Sequence, residues 1–201
     1  MTNIDNSKDI EKELTRIFNR FNHHFWDDEL PDVIITFKPT KGAYGHMTSA
    51  PVWISDTAED KYELNISAFD MNRPPQEICE TLLHEQCHLY NNIHEIKDCS
   101  NHGRYHNAKF KKAAESHGLI CDKQEHFGWS ITSFNDESLI YFKRLNIKQF
   151  TYYYQKPTPI KGTLMRYQCP KCKKTIAWLT KAQSILCGKC KVELKYSPVL
   201  K

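Results

Sequence analysis

The chain of 201 residues contains no run of about 18 apolar residues, so nothing in it reads as a membrane-spanning helix. Its first residues, MTNIDNSKDIEKE, lack the basic-then-apolar pattern of a secretory leader. These two absences predict a soluble, cytoplasmic protein with no membrane partner. Glycine is scarce at 7 residues and proline reaches only 9, which excludes collagen-like and low-complexity architectures; no internal repeat is found. Acidic residues are almost missing from the C-terminal part: after Ser138 there is one, Glu193, against 14 Lys and Arg. The formal net charge of +4 therefore sums two opposites. Residues 1–138 hold 14 basic and 23 acidic side chains, a net of −9, and residues 139–201 carry +13.

What is present argues for packed domains, with 40% hydrophobic and 12% aromatic residues. Ile10, Leu14, Ile17, Phe18, Phe21 and Phe25 recur at spacings of three and four, predicting an amphipathic helix over 8–26 that Pro31 ends. Four short runs follow, Val33–Phe37, Ala43–Thr48, Val52–Ile54 and Tyr62–Ser67, parted by Pro39, Lys41-Gly42, Pro51 and the acidic Asp56–Asp60 turn. They read as a small antiparallel meander. Pro74-Pro75 starts a second helix that runs to about Tyr90, with Glu77 and Glu80 in its first turn; a third spans 104–117, and Trp129–Ser133 forms a short strand. This order is α+β. From 139 onward Lys and Arg mix with Tyr141, Phe142, Phe150 and Tyr152–Tyr154, ending in the Pro-broken QKPTPIKG. The expected organisation is a domain at 1–138, a basic aromatic-rich linker at 139–165 and a small module at 166–201.

His84-Glu85-Gln86-Cys87-His88 is an HExxH pattern inside the second helix. At about 100° per residue His88 lies about 40° round from His84 and one turn on, so both imidazoles reach one metal. Two neutral nitrogens and a third protein ligand hold zinc. The open position would carry water, whose proton Glu85 would take as it attacks a carbonyl and then deliver to the leaving amine. Ile78, Leu82 and Leu89 offer a separate apolar face, so the helix can be buried without the histidines. Three residues compete as third ligand. His94 has the spacing of HExxHxxGxxH, with Asn91 at the Gly position and no methionine after the motif until Met165; His102 and His106 lie further on.

Eight cysteines in a reducing compartment suggest metal before disulfides. Cys169-Pro170-Lys171-Cys172 and Cys187-Gly188-Lys189-Cys190 are two CxxC knuckles with fourteen residues between the inner cysteines, the spacing of a closed, structural zinc ribbon. Cys79, Cys87, Cys99 and Cys121 have no paired spacing. Two zinc ions are expected, one catalytic and one structural. Four thiolates and a zinc contribute −2, leaving the C-terminal part at about +11. Its Lys and Arg interleaved with Tyr141, Phe142, Phe150, Tyr152–Tyr154, Tyr167 and Trp178 fit phosphate contacts plus base stacking, with Lys171, Lys173, Lys174, Lys189, Lys191 and Trp178 as candidates for single-stranded or distorted DNA.

Residues about 10–135 resemble the SprT-like (SprT/Spartan) zinc metallopeptidase family. The matching segments are Ala43-Tyr44-Gly45-His46 leading to Trp53, then Glu63-Leu64-Asn65-Ile66-Ser67, Thr81–Asn91 around the HExxH, and Tyr105-His106-Asn107-Ala108-Lys109-Phe110. The resemblance implies a minimal zincin-like domain with His106 as third ligand. It also implies a C-terminal ribbon and an extended substrate pairing along a sheet edge formed by Tyr62, Glu63, Leu64, Asn65, Ile66 and Ser67. The expectation that follows is a monomeric zinc endopeptidase acting on DNA-bound proteins, as in DNA–protein crosslink repair, and cytoplasmic or nucleoid-associated. Two other readings stand beside it. One is a non-enzymatic nucleic-acid-binding scaffold with structural zincs, the other a general cytosolic metallopeptidase independent of DNA.

Overall fold

Helix α1 (Ser7–Phe25) begins at Asn6, whose side chain accepts a hydrogen bond from the Asp9 N–H, and it buries Ile10, Leu14, Ile17, Phe18 and Phe21. The computed structural model describes residues 6–155, 164–179 and 183–197. α1 stops well before Pro31. Asp27 and Asp28 adopt left-handed backbone (φ 48° and 62°), and the Asp28 N–H folds back onto the Asn22 carbonyl. The chain divides into two units, 1–156 and 157–201.

The first sheet contains β1 (Val33–Thr36), β2 (Gly45–Met47) and β3 (Tyr62–Ile66) in the order β1-β3-β2. It is mixed, not the expected antiparallel meander: β1 runs parallel to β3 and β2 antiparallel to it. Val52–Ile54 forms no strand and makes one bridge, Trp53 to Lys61. β3 is central, so Tyr62, Glu63, Leu64, Asn65 and Ile66 are not an edge strand. Ser67, just beyond, donates its N–H to the Tyr44 carbonyl. Both faces of β3 are covered. Leu64 and Ile66 are buried in the core, while Glu63 accepts from Lys38 Nζ at 2.8 Å and Trp53 Nε1 at 3.0 Å. Asn65 accepts from Thr36 Oγ1 at 2.9 Å and the Lys38 N–H at 2.6 Å.

Helix α2 (Pro75–Ile93) starts with proline at its first position and runs past Tyr90. It buries Ile78, Leu82, Leu83 and Leu89, and also the polar Glu80, Glu85, Gln86 and Asn91. Gln86 Nε2 donates to the Phe18 carbonyl at 3.0 Å, and Glu80 Oε1 accepts from the Phe134 N–H at 3.1 Å. A second sheet follows, of which only the last strand was expected. It comprises β4 (Cys99–Ser100), β5 (Tyr105–His106), β6 (Leu119–Gln124) and β7 (Gly128–Phe134), in the order β4-β5-β7-β6. Helix α3 (Ala108–Ser116) starts later than 104 because Asn107 caps it, accepting from the Lys109 and Phe110 N–H groups.

Helix α4 (Asp136–Leu145) spans the boundary expected at 138. The Asn135 side chain caps it at the Ser138 N–H, Asp136 and Glu137 occupy its first turn and Lys143 and Arg144 its last, and Asn146 ends it in the left-handed region. Tyr141 and Phe142 pack on the core, Phe150 is 1% exposed, and the Tyr154 N–H donates to the Ala68 carbonyl at 2.7 Å. The segment from 139 to 154 therefore packs as part of the first unit. Residues 156–163 of the expected linker lie outside the described residues. Charge divides accordingly: residues 1–156 carry 18 basic and 23 acidic side chains, residues 157–201 ten basic and one acidic.

In the second unit, β8 (Met165–Gln168), β9 (Ile176–Leu179) and β10 (Lys195–Tyr196) form an antiparallel sheet in the order β10-β8-β9. Among the described residues of this unit Cys169, Cys187 and Leu194 are buried, flanked by Tyr167, Ala177, Ile185 and Val192. Among the described residues no helix is long and apolar enough to cross a membrane. Replacing Phe150 by Ala is expected to destabilise the first unit by about 3–5 kcal/mol, measured as a lowered urea midpoint of the full chain; an unchanged midpoint would return this segment to linker status.

Candidate metal centres

Helix α2 presents His84 and His88 one turn apart, and β5 brings His106 to them. The Nε2 atoms of His84 and His106 lie 3.1 Å apart, as do those of His88 and His106. Beneath all three rings lies Phe110 from the first turns of α3, wholly buried, its centroid 4.6 Å from His84 and His106 and 4.7 Å from His88. The Asn107 cap, by starting α3 two residues after His106, places this ring under the cluster.

Each histidine has a partner for its other ring nitrogen. His88 Nδ1 lies 2.7 Å from Asp98 Oδ2, His84 Nδ1 3.0 Å from Thr132 Oγ1, and His106 Nδ1 3.2 Å from the Phe127 carbonyl. The same carbonyl accepts the His106 main-chain N–H at 2.9 Å. With Nδ1–H donating outward, the Nε2 lone pairs face one another, the arrangement of metal-ligating imidazoles. Burial holds His84 well below its ordinary pKa and His106 down at about 4, so both are neutral. No motif marks Asp98, Thr132 or the Phe127 carbonyl. Gly128 does carry a signal, being a glycine at a strand start where backbones approach closely. At φ +69°, a Cβ there would meet the His106 carbonyl oxygen at 2.0 Å.

Glu85 is 5% exposed, and burial pushes its carboxyl up to about 7 against the opposing pull of His88. It faces β2: a Cβ on Gly45 would lie 2.9 Å from Glu85 Oε1. The competing histidines stand apart from this cluster. α2 continues through Asn91 without the left-handed turn of the HExxHxxGxxH pattern, and His94 caps its end with Nε2 2.8 Å from Glu29. His102 sits exposed in the turn before β5.

In the second unit, Cys169, Cys172, Cys187 and Cys190 bring their sulfurs within 4.8 Å of one another, with Cys172 and Cys187 at 3.8 Å. The two knuckles match in backbone. Cys172 N–H points to Cys169 Sγ and Cys190 N–H to Cys187 Sγ, both at 3.4 Å, and Lys173 and Lys191 take left-handed φ of 58° and 56°. Backbone N–H groups of Thr175 and Lys174 hold the Cys172 thiol down at about 5, favouring the thiolate. Lys171, Lys173, Lys174, Lys189 and Lys191 are all exposed, as is Trp178 at 53%. Of the aromatics expected to stack on bases, Tyr141, Phe142, Phe150 and Tyr167 are packed within their own units, which leaves Tyr152, Tyr153, Tyr154 and Trp178 exposed.

Gly128→Ala is expected to displace His106 and weaken metal retention by the three histidines at least about tenfold, leaving the four-cysteine site full. Metal analysis after dialysis of the full chain checks it, and parent-like metal content would contradict it.

The family model described as the SprT-like family matches residues 14–126, from within α1 to just past β6. That span takes in His84, Glu85, His88, Asp98 and His106 and stops short of Thr132 and the cysteine cluster. No match is found among the curated proteins, and none among the solved structures. With more than half of its length matched, and with the histidines of its HExxH helix gathered with a third, the chain belongs to the SprT-like family.

Proposed function

We propose that the chain is a zinc-dependent endopeptidase acting on DNA-associated proteins. The convergence of the His84, His88 and His106 Nε2 atoms beside a buried Glu85 carries this reading. The donor sets fit zinc. Nitrogens at 2.0–2.1 Å from a common tetrahedral centre stand about 3.3 Å apart and sulfurs at 2.3 Å stand about 3.8 Å apart, against 3.1 Å from His106 to each of the other two imidazoles and 3.8 Å from Cys172 to Cys187. Three imidazoles leave a position open, as catalysis needs, whereas four thiolates close the second site. His84, His88 and His106 would hold the zinc, which would supply Lewis acidity to polarise a carbonyl and acidify water.

Glu85 is the general base: its carboxylate takes a proton from the attacking water and hands it to the departing amine. The edge available to an extended substrate is β2. Antiparallel pairing commits Tyr44, His46 and Thr48 to β3, so the main-chain groups of Gly45 and Met47 point the other way, on the strand that Glu85 faces. Main-chain pairing of this kind reads little side-chain identity, and broad specificity follows. DNA is the proposed second partner. Support comes from ten basic residues against one acidic residue in 157–201, the five exposed knuckle lysines and the exposed Trp178.

One assay tests the reading: digestion of a DNA-binding protein with and without single-stranded DNA. Glu85→Gln is expected to lower the rate by about 10²–10⁴ while both zincs stay bound, and DNA is expected to stimulate the parent. Parent-like digestion by the mutant would refute the catalytic assignment, and equal rates with and without DNA would favour a general peptidase. His106→Ala is expected to reduce bound zinc from two equivalents to one, and His94→Ala to leave two.

A further inference from the structure

Of the three acceptors that hold the histidines, one also grips the main chain that carries another ligand. Asp98 lies between α2 and β4, with its side chain 15% exposed. Its Oδ2 accepts from His88 Nδ1 at 2.7 Å and from Asn91 Nδ2 at 3.1 Å, both donors being on α2. Its backbone carbonyl accepts the Asn107 N–H at 2.9 Å, directly after His106. The carbonyl of Lys97 adds a bond from Asn107 Nδ2 at 3.0 Å, and Cys99 registers with His106 across β4 and β5. The side chain thus orients the helix-borne His88, and the main chain on either side sets the strand-borne His106.

We propose that Asp98 is the positioning residue of the histidine centre: its carboxylate fixes the tautomer and heading of His88, while its main chain holds His106 in register beside it. The proposal rests on reading the three histidines as a zinc site. A carboxylate on Nδ1–H keeps the proton off Nε2 and raises the basicity of the nitrogen that faces the metal. Among the described residues Asp98 is the only carboxylate hydrogen-bonded to any of the three rings; the other two Nδ1 atoms meet a hydroxyl and a carbonyl.

The test is zinc affinity of the full chain, measured by chelator competition, together with the visible spectrum of the cobalt-substituted protein. Asp98→Ala keeps the main-chain bond to Asn107 and removes only the carboxylate. It is expected to weaken the histidine site about 10–100-fold, shift the cobalt bands of that site and leave the four-cysteine site at parent affinity. Asp98→Asn, which keeps an oxygen for Nδ1–H, is expected to recover part of the loss. Asn91→Ala removes a second contact of the carboxylate, whose third is the Cys99 thiol, and is expected to stay within about twofold of the parent; a loss as large as that of Asp98→Ala would make Asp98 a structural tie and overturn the proposal. Should alanine prevent folding, Asp98→Glu moves the carboxylate by one methylene and is expected to bind zinc several-fold more weakly. Parent affinity in whichever of these two variants folds overturns the inference alone. A parent that holds only the cysteine-bound zinc overturns both it and the metal reading beneath it.

Discussion

An imidazole offers a metal one nitrogen only when its other nitrogen has somewhere to place its proton. A cluster of three therefore needs three acceptors, and the helix that carries two of the rings supplies none of them. In this chain they arrive from Asp98, the Phe127 carbonyl and Thr132, all beyond the end of α2. The second sheet exists, in physical terms, to deliver them. β7 carries Thr132, the turn before it carries Phe127, and β4 follows directly on Asp98. Gly128 allows β7 to close against β5, where any side chain would strike the His106 carbonyl.

The same helix must also be held at one register, since a slip of a single residue would turn the histidines away from β5. Leucines alone tolerate small rotations; buried polar side chains do not, because each loses its partner. α2 buries Glu80 and Gln86 on different faces, and they bond respectively to the Phe134 N–H and the Phe18 carbonyl. Phe110 completes the confinement from below. Toward β2 the helix packs at Gly45, whose missing side chain makes room for Glu85.

Sequence made the local features legible and hid the non-local ones. The stripe of α1, the HExxH spacing and the two cysteine knuckles are each written within a few residues, and each folds as its pattern indicates. Strand order is not written locally. Tyr62–Ser67 alternates apolar and polar residues like a half-exposed strand, yet Glu63 and Asn65 are covered by Lys38, Trp53 and Thr36, and the strand lies in the middle of its sheet. α4 could have been found: Asn135, Asp136 and Glu137 at one end and Lys143 and Arg144 at the other are ordinary helix boundaries. Basic and aromatic residues are dense over the same stretch, and half of the aromatics expected to stack on bases are packing residues. Asp98 and Thr132 belong to no motif, because their importance is set by a distance and not by a spacing.

The bonds to the far ring nitrogens bear on how portable such a centre is. A helix bearing HExxH, grafted onto another scaffold, would bring two rings and leave behind the third ring, all three acceptors, the glycine that admits one of them and the phenyl floor. The smallest stretch of this chain that holds the whole set runs from His84 to Thr132, and Gly45 lies outside even that. The unit that builds the centre is accordingly the helix together with the sheet that follows it, and an HExxH helix alone carries only a fraction of the machinery.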